Sequence, residues 1–139
     1  AHRQHRVHLA ETQRRLDEIT AAFDVSLGAL EPLGLVATGA AGGSAARLAG
    51  HRSFAASWLL GDDLVAALDH AGIAASTGSA CISGSREPSE ALLAMGFDEE
   101  QSRGGLRITF GATTTLDEAR SAGELVRSVL SRIRTAVPA

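Results

Sequence analysis

Apolar residues near the two ends of the chain recur with the period of an amphipathic helix. From His2 to Phe23 one face repeats at three- and four-residue steps, and charged residues occupy the other side. That face consists of Leu9, Gln13, Leu16, Ile19 and Phe23. Near the C-terminus, Thr115 and Glu118 have the spacing of a capping box. The apolar stripe that follows consists of Ala119, Ala122, Val126, Val129 and Ile133. The pattern predicts a helix in each region.

Between these helices the pattern changes to the two-residue alternation of strands. Ser53–Trp58 and Leu106–Phe110 alternate clearly. Shorter apolar runs at Leu33–Thr38 and Ile73–Ala75 indicate weaker strands. The sequence therefore predicts a small sheet.

Two further helices are predicted between the strands. Asp62 or Asp63 can cap one helix that ends at Gly72. Pro88 suits the first turn of another that ends at Gly96. This order predicts an α+β fold with a sheet on one side and helices on the other, within one domain that covers residues 1–139.

Composition excludes several classes of protein. A chain of 139 residues with 45% apolar residues is long enough for one core. A net charge of −3 offers no basic surface for nucleic acid. No apolar run reaches the roughly 18–20 residues of a membrane span. With no basic-then-apolar leader, the cytoplasm is the expected compartment.

Cys81 is the first candidate for chemistry. It is the single cysteine, so neither an internal disulfide nor an unaided zinc or iron–sulfur site is expected. A free cysteine is commonly a small buried apolar residue. However, Cys81 lies in a segment of small residues, about Ser76–Ser85, which predicts a mobile loop and an accessible thiol. Both interpretations remain open at this point.

Arg107 is the second candidate. Strand alternation directs its side chain away from the face shared by Leu106, Ile108 and Phe110. The guanidinium would then be either a solvated surface group or a planar clamp for a carboxylate. Spacing alone does not choose between them.

The histidines suggest no metal site. His2, His5 and His8 share one helix face, but Arg3 and Arg6 would repel a cation. These five residues are better suited to a solvated or partner-facing helix. Two other histidines, His51 and His70, are isolated in the sequence, and structural or surface roles are expected for them.

Lysine is absent, because all 13 cationic side chains are arginine. Covalent anchoring of pyridoxal phosphate within this chain is therefore excluded.

The segment around Cys81 closely resembles the active-site loop of the NifS/IscS-type cysteine desulfurases. The similarity runs from about Gly61 to Ile133. Its motifs are Ala75-Ser76-Thr77-Gly78-Ser79-Ala80-Cys81, Glu87-Pro88-Ser89, Ala94-Met95-Gly96 and Leu106-Arg107-Ile108-Thr109-Phe110-Gly111. The resemblance implies the small C-terminal domain of a fold-type I pyridoxal phosphate enzyme, with a mainly antiparallel sheet.

The resemblance also implies a function. Members of the family are homodimers that convert L-cysteine to L-alanine. Cys81 would take the sulfur as a persulfide and pass it to an acceptor such as an iron–sulfur scaffold protein, and Arg107 would hold the substrate carboxylate. The cofactor would bind to a large domain that is absent from these residues, so this chain alone is expected to be inactive.

Two alternatives to a domain of a full-length desulfurase are considered. The chain could be one subunit of a split enzyme whose lysine-bearing partner docks on the Arg107 face. It could also be a stand-alone carrier that accepts sulfur on Cys81 from another protein.

Overall fold

The computed structural model describes residues 2–39, 47–77 and 87–136, with side chains from Leu9 onward. Within these ranges the helices are α1 (His2–Leu27), α2 (Gly61–His70), α3 (Glu90–Ala94), α4 (Glu99–Arg103) and α5 (Leu116–Ala136). The strands are β1 (Leu35–Ala37), β2 (His51–Ala56) and β3 (Gly105–Thr109). A 3₁₀ turn, Glu31–Leu33, precedes β1. None of the described helices combines the length and apolarity that a membrane span requires.

The three strands form one antiparallel sheet in the order β1-β2-β3. On β3, Leu106 and Ile108 are buried in the core, whereas Arg107 between them is only half-buried. This is the alternation that the sequence predicts, because successive side chains of a strand point to opposite faces. The predicted α+β fold is confirmed.

The core lies between the sheet and the two long helices. Its buried apolar residues come from every major element, and α1 packs along α5 more extensively than any other pair of elements. The largest fully buried side chains are Phe23, Ile19, Leu27, Leu64, Leu68, Leu106, Leu130 and Val126. Phe23 also meets the ring of Phe110, just after β3, with centroids 5.2 Å apart.

The predicted capping box of α5 is present. The Glu118 backbone N–H donates to the Thr115 hydroxyl over 3.2 Å, and the Thr115 N–H donates to the Glu118 carboxylate over 2.7 Å. The hydrogen bond from the Thr115 backbone, followed by that from its hydroxyl, lowers the pKa of Glu118. This element could be predicted because a cap depends only on residues that are close in sequence.

Several predicted boundaries are wrong. The strand predicted to reach Trp58 ends at Ala56, and the indole N–H of Trp58 donates to the carbonyls of Leu33 and Gly34 instead. Helix α2 begins at Gly61, with Leu60 as the capping residue, so Asp62 and Asp63 lie in its first turn. That position still suits acidic side chains, which the helix dipole favours there.

The segments around the predicted loop also differ in detail. Ile73–Ala75 is not a strand, although Ser76, the next residue, forms an isolated bridge with Arg107. Ser89 is the N-cap of α3, where its hydroxyl accepts the N–H of Leu92, so Pro88 precedes the helix and does not lie in its first turn. Helix α4 was not predicted, although Asp98 and Gln101 form a capping box. Its five residues, Glu99–Arg103, are all polar, so no apolar period marks this helix in the sequence.

Candidate functional site

Arg107 occupies the face of the sheet opposite to α1 and α5. Its neighbour across the strand pair is Ser53 on β2. One guanidinium nitrogen, Nη2, donates to the hydroxyl of Ser76 over 3.2 Å. The side chain is half-buried. The strand therefore holds this guanidinium at a defined place beside the segment that leads toward Cys81.

Ser76 is attached to the arginine strand through its backbone as well. The Ser76 N–H donates to the Arg107 carbonyl over 3.0 Å, and the Arg107 N–H donates to the Ser76 carbonyl over 2.6 Å. These two residues are 31 positions apart in the sequence. The pair fixes the beginning of the predicted loop at the edge of the sheet.

Gly105 on β3 allows Thr77, the residue after Ser76, to lie close to the sheet. A Cβ atom at this position would be 2.8 Å from the carbonyl oxygen of Thr77 and 3.4 Å from Cδ1 of Leu92. Any side chain at this position would therefore displace the backbone of Thr77. The position of Leu92 also shows that short helix α3 lies on the Arg107 face of the sheet.

The far side of the predicted loop returns to the same region. The Ser89 N–H donates to the Ser102 carbonyl over 2.9 Å, and Leu92 is buried. Ser76 is thus bonded to β3 itself, whereas Ser89 is bonded to α4, the helix that precedes β3 in the chain. Cys81 lies between them in sequence but outside the described residues, as does the rest of the predicted mobile loop from residue 78 to residue 85.

A cleft of about 330 Å³ opens on this face. Its described lining includes three nitrogen-bearing side chains, Arg47, His51 and Arg107, and no Asp or Glu. A second cleft of about 350 Å³ adjoins it and shares His51 and Arg107. The charge of the described lining favours an anion.

His51 is a site residue that the sequence did not reveal. It pairs with Thr109 in the register of β2 and β3, which places it on the same face as Arg107. Burial, followed by the positive charges of Arg107, Arg52 and Arg47, lowers its pKa below the usual 6.5. The two-residue spacing of His51 and Ser53 indicates that they share one face of a strand. It points to Arg107 only when the register between β2 and β3 is known.

The other histidines do not join this site. His70 is exposed at the end of α2. The side chains of His2, His5 and His8 lie outside the described part of the chain. Among the described residues no three His, Cys, Asp or Glu side chains are grouped as a metal site would require.

Comparison with known proteins gives a consistent set of relatives. No family model matches the chain. An IscS-like cysteine desulfurase of Mycobacterium tuberculosis is 41% identical over 90 residues, which are 65% of this chain and 23% of that protein. A cysteine desulfurase IscS of Neisseria meningitidis is 42% identical over 78 residues, or 56% of this chain and 19% of that protein. Cysteine desulfurase IscS 1 of Archaeoglobus fulgidus is 39% identical over 82 residues, or 59% and 22% of the respective chains.

A solved structure of a NifS-like protein has the same fold. It superposes with a TM-score of 0.67 at 21% identity, covering 89% of this chain and 29% of that one. In the sequence comparisons above, the segments that match this chain make up about a fifth of the length of the curated relatives. The chain is homologous to one segment of the NifS/IscS-type cysteine desulfurases, and the resemblance found in its sequence is confirmed.

Proposed function

We propose that this chain is the thiol-bearing C-terminal domain of a cysteine desulfurase. Cys81 accepts the sulfur of L-cysteine as a persulfide, and Arg107 binds the α-carboxylate of that substrate. The names of the relatives support the enzyme class. The cationic cleft around Arg107 supports the carboxylate contact.

The pairing of Ser76 with Arg107 is the observation that carries the proposal. It attaches the start of the predicted Cys81 loop directly to the strand that bears the guanidinium. Cys81 follows Thr77 by four residues in the sequence, and four extended residues span at most about 14 Å. Covalent geometry therefore limits how far the thiol can be from the cleft.

The overall reaction balances without an external oxidant. L-Cysteine and the Cys81 thiol give L-alanine and the Cys81 persulfide, so the carbon–sulfur bond of the substrate breaks and a sulfur–sulfur bond forms. The transferred sulfur then leaves Cys81 for the thiol of an acceptor. A thiolate is required at each sulfur transfer, because the thiolate is the nucleophilic form of cysteine.

Pyridoxal phosphate, which the resemblance implies, does not fit the residues present here. The chain contains no lysine to hold it covalently. The cofactor would belong to polypeptide outside these 139 residues, in the homodimeric full-length enzyme. An iron–sulfur scaffold protein is the proposed acceptor, and the cytoplasm is the proposed compartment.

The thiol function can be tested with a low-molecular-weight persulfide. The Cys81 thiolate should attack the outer sulfur of the donor, whose inner sulfur leaves as a thiolate. Mass spectrometry should then find one added sulfur on the peptide that contains Cys81. The matched control is Cys81→Ser, which removes the only thiol of the chain. An unmodified wild-type chain under conditions that persulfidate a control thiol peptide would contradict the proposal.

The missing lysine gives a second test. The chain supplied with pyridoxal phosphate and L-cysteine should release no alanine above the level of the cofactor alone. Alanine formation that depends on the chain would refute the argument from lysine. Formation only after a lysine-bearing polypeptide is added would favour the split enzyme.

The absence of lysine also favours a second candidate, a stand-alone persulfide carrier. A carrier would take sulfur from the donor and release it to an acceptor thiol. Adding a cofactor-bearing partner would then restore no desulfurase activity.

A further inference from the structure

His51 and Arg107 are diagonal neighbours on one face of the sheet. His51 is opposite Thr109, and Ser53 is opposite Arg107. The hydrogen bond from the Phe110 N–H to the Gly50 carbonyl, 2.7 Å long, makes 50 and 110 a hydrogen-bonded pair. The next pair, His51 and Thr109, is therefore a non-hydrogen-bonded pair, in which side chains lie closer together. Diagonal neighbours in such a ladder are about 7–8 Å apart, so one small anion can contact both side chains.

Both clefts on this face are lined by His51 and Arg107 together. A carboxylate has two oxygens with room for about four hydrogen bonds, more than one guanidinium edge uses. An imidazole N–H at the neighbouring position supplies a further donor. The side chain of His51 is only half-buried, so it remains accessible from the cleft.

We propose that His51 is a second contact for the carboxylate held by Arg107, and that it takes up a proton from solvent when the carboxylate binds. This inference rests on the carboxylate role of Arg107 proposed above and makes His51 a specificity-determining residue of the same site. It predicts a preference for carboxylates that becomes stronger as the pH falls.

The charges around His51 explain the direction of this coupling. Arg107 faces it from β3, Arg47 precedes β2, and Arg52 is its neighbour on β2, where it pairs with Asp24 of α1. Burial and these guanidinium groups lower the pKa of His51, so the free cleft favours the neutral ring. A bound carboxylate adds a negative charge beside the ring and raises its pKa.

The sign of the pH dependence follows from linkage. The carboxylate complex binds more protons than the free protein in the range between the lowered and the raised pKa of His51. Affinity therefore increases as the pH falls through that range and is constant above it. A rise of one unit in the pKa of His51 corresponds to a gain in affinity of at most about tenfold.

Propionate titrations followed by NMR test the inference on the 139-residue chain. The ring signals of His51 should report a pKa below 6.5 without propionate and a higher one at saturating propionate. Propionate should bind several-fold more tightly at pH 6 than at pH 8. The ring signals of His70, which does not line the cleft, serve as the internal reference.

Three variants separate the possible outcomes. His51→Gln keeps a neutral donor, so it should bind propionate at pH 8 but lose the gain at pH 6. Arg107→Gln and Arg107→Lys should both weaken binding at either pH, and the dispersion of their amide signals checks their folding. His70→Gln should behave as the wild type.

The results distinguish this inference from the proposed function. If propionate binds through Arg107 while the His51 signals titrate unchanged, the role of His51 is refuted and that of Arg107 stands. If propionate does not bind to the wild-type chain, the carboxylate role of Arg107 fails as well. The persulfide test on Cys81 is independent of either result.

Discussion

At the scale of single residues, two strand arginines have opposite environments. Arg107 lies on the cleft face of the sheet, whereas Arg52, which pairs with Ile108 in the register, lies next to α1. Its guanidinium Nε and Nη2 donate to the Asp24 carboxylate over 2.6–2.9 Å. The Arg52 side chain is only 18% exposed, compared with 43% for Asp24. This ion pair attaches β2 to the end of α1.

Arg52→Gln should destabilise the protein. Loss of a two-pronged, partly buried ion pair leaves Asp24 without its cation, at an expected cost of about 1–2 kcal/mol in the free energy of unfolding. Urea denaturation measures the change. The matched control is Arg120→Gln, which removes an exposed ion pair with Asp117 and should cost no more than about 0.5 kcal/mol. Equal effects of the two substitutions would contradict the structural role of Arg52.

At the scale of elements, α1 and α5 approach each other through a glycine. A Cβ atom on Gly123 would lie 2.6 Å from the Phe23 carbonyl oxygen and 2.9 Å from the Leu27 nitrogen. Both of these are backbone atoms of α1, so they can move only if the whole helix moves. Gly123 therefore sets the distance between the two helices.

Gly123→Ala should lower stability although alanine is the better helix former. The gain in helix propensity is about 1 kcal/mol. The displacement of α1 from α5 outweighs it, so we expect a net loss of about 1–3 kcal/mol in thermal or urea unfolding.

The control for this prediction is Ser128→Ala, an exposed position of the same helix. It should change stability by no more than about 0.5 kcal/mol. A variant Gly123→Ala that is more stable than the wild type would show that α1 and α5 do not approach as closely as described.

At the scale of the whole molecule, the described elements share one core. Phe23 is fully buried and contacts the ring of Phe110, while α5 crosses its backbone at Gly123. Trp58, the only tryptophan, lies on the periphery of this core, with the Arg134 guanidinium 5.5 Å from its ring centroid. A probe at Trp58 and a probe of total helix should therefore report the same unfolding event.

Phe23→Ala should remove most of the stability of the fold. A large aromatic truncation in a core costs about 3–5 kcal/mol, which is comparable to the whole stability of about 5–15 kcal/mol of a small domain. Phe23→Leu should cost less and leave a folded chain to measure. Trp58 fluorescence and far-ultraviolet circular dichroism should give coincident urea transitions. Separate transitions would show that the sheet edge and the helices unfold independently.

The parts of the fold that sequence predicts best are those with a long period or a local cap. Helix α5 is an example, because its stripe covers several turns and its Thr115–Glu118 cap is contained in four residues. The boundaries of β2 were wrong, since Trp58 binds the carbonyls of a turn about 25 residues away. Helix α4 is missing from the prediction because its five residues are all polar and show no apolar period.

The candidate site likewise has features that the sequence predicts and features that it does not. The sequence alone determined that the chain has one thiol, no lysine, and an arginine that faces away from the apolar side of a strand, because these are matters of residue type and alternation. Only the tertiary structure decided that Ser76 joins Arg107 across 31 residues and that His51 lies beside the same guanidinium. Periodicity identifies which face of an element is apolar, but the register and packing of distant segments determine which polar groups meet on the other face.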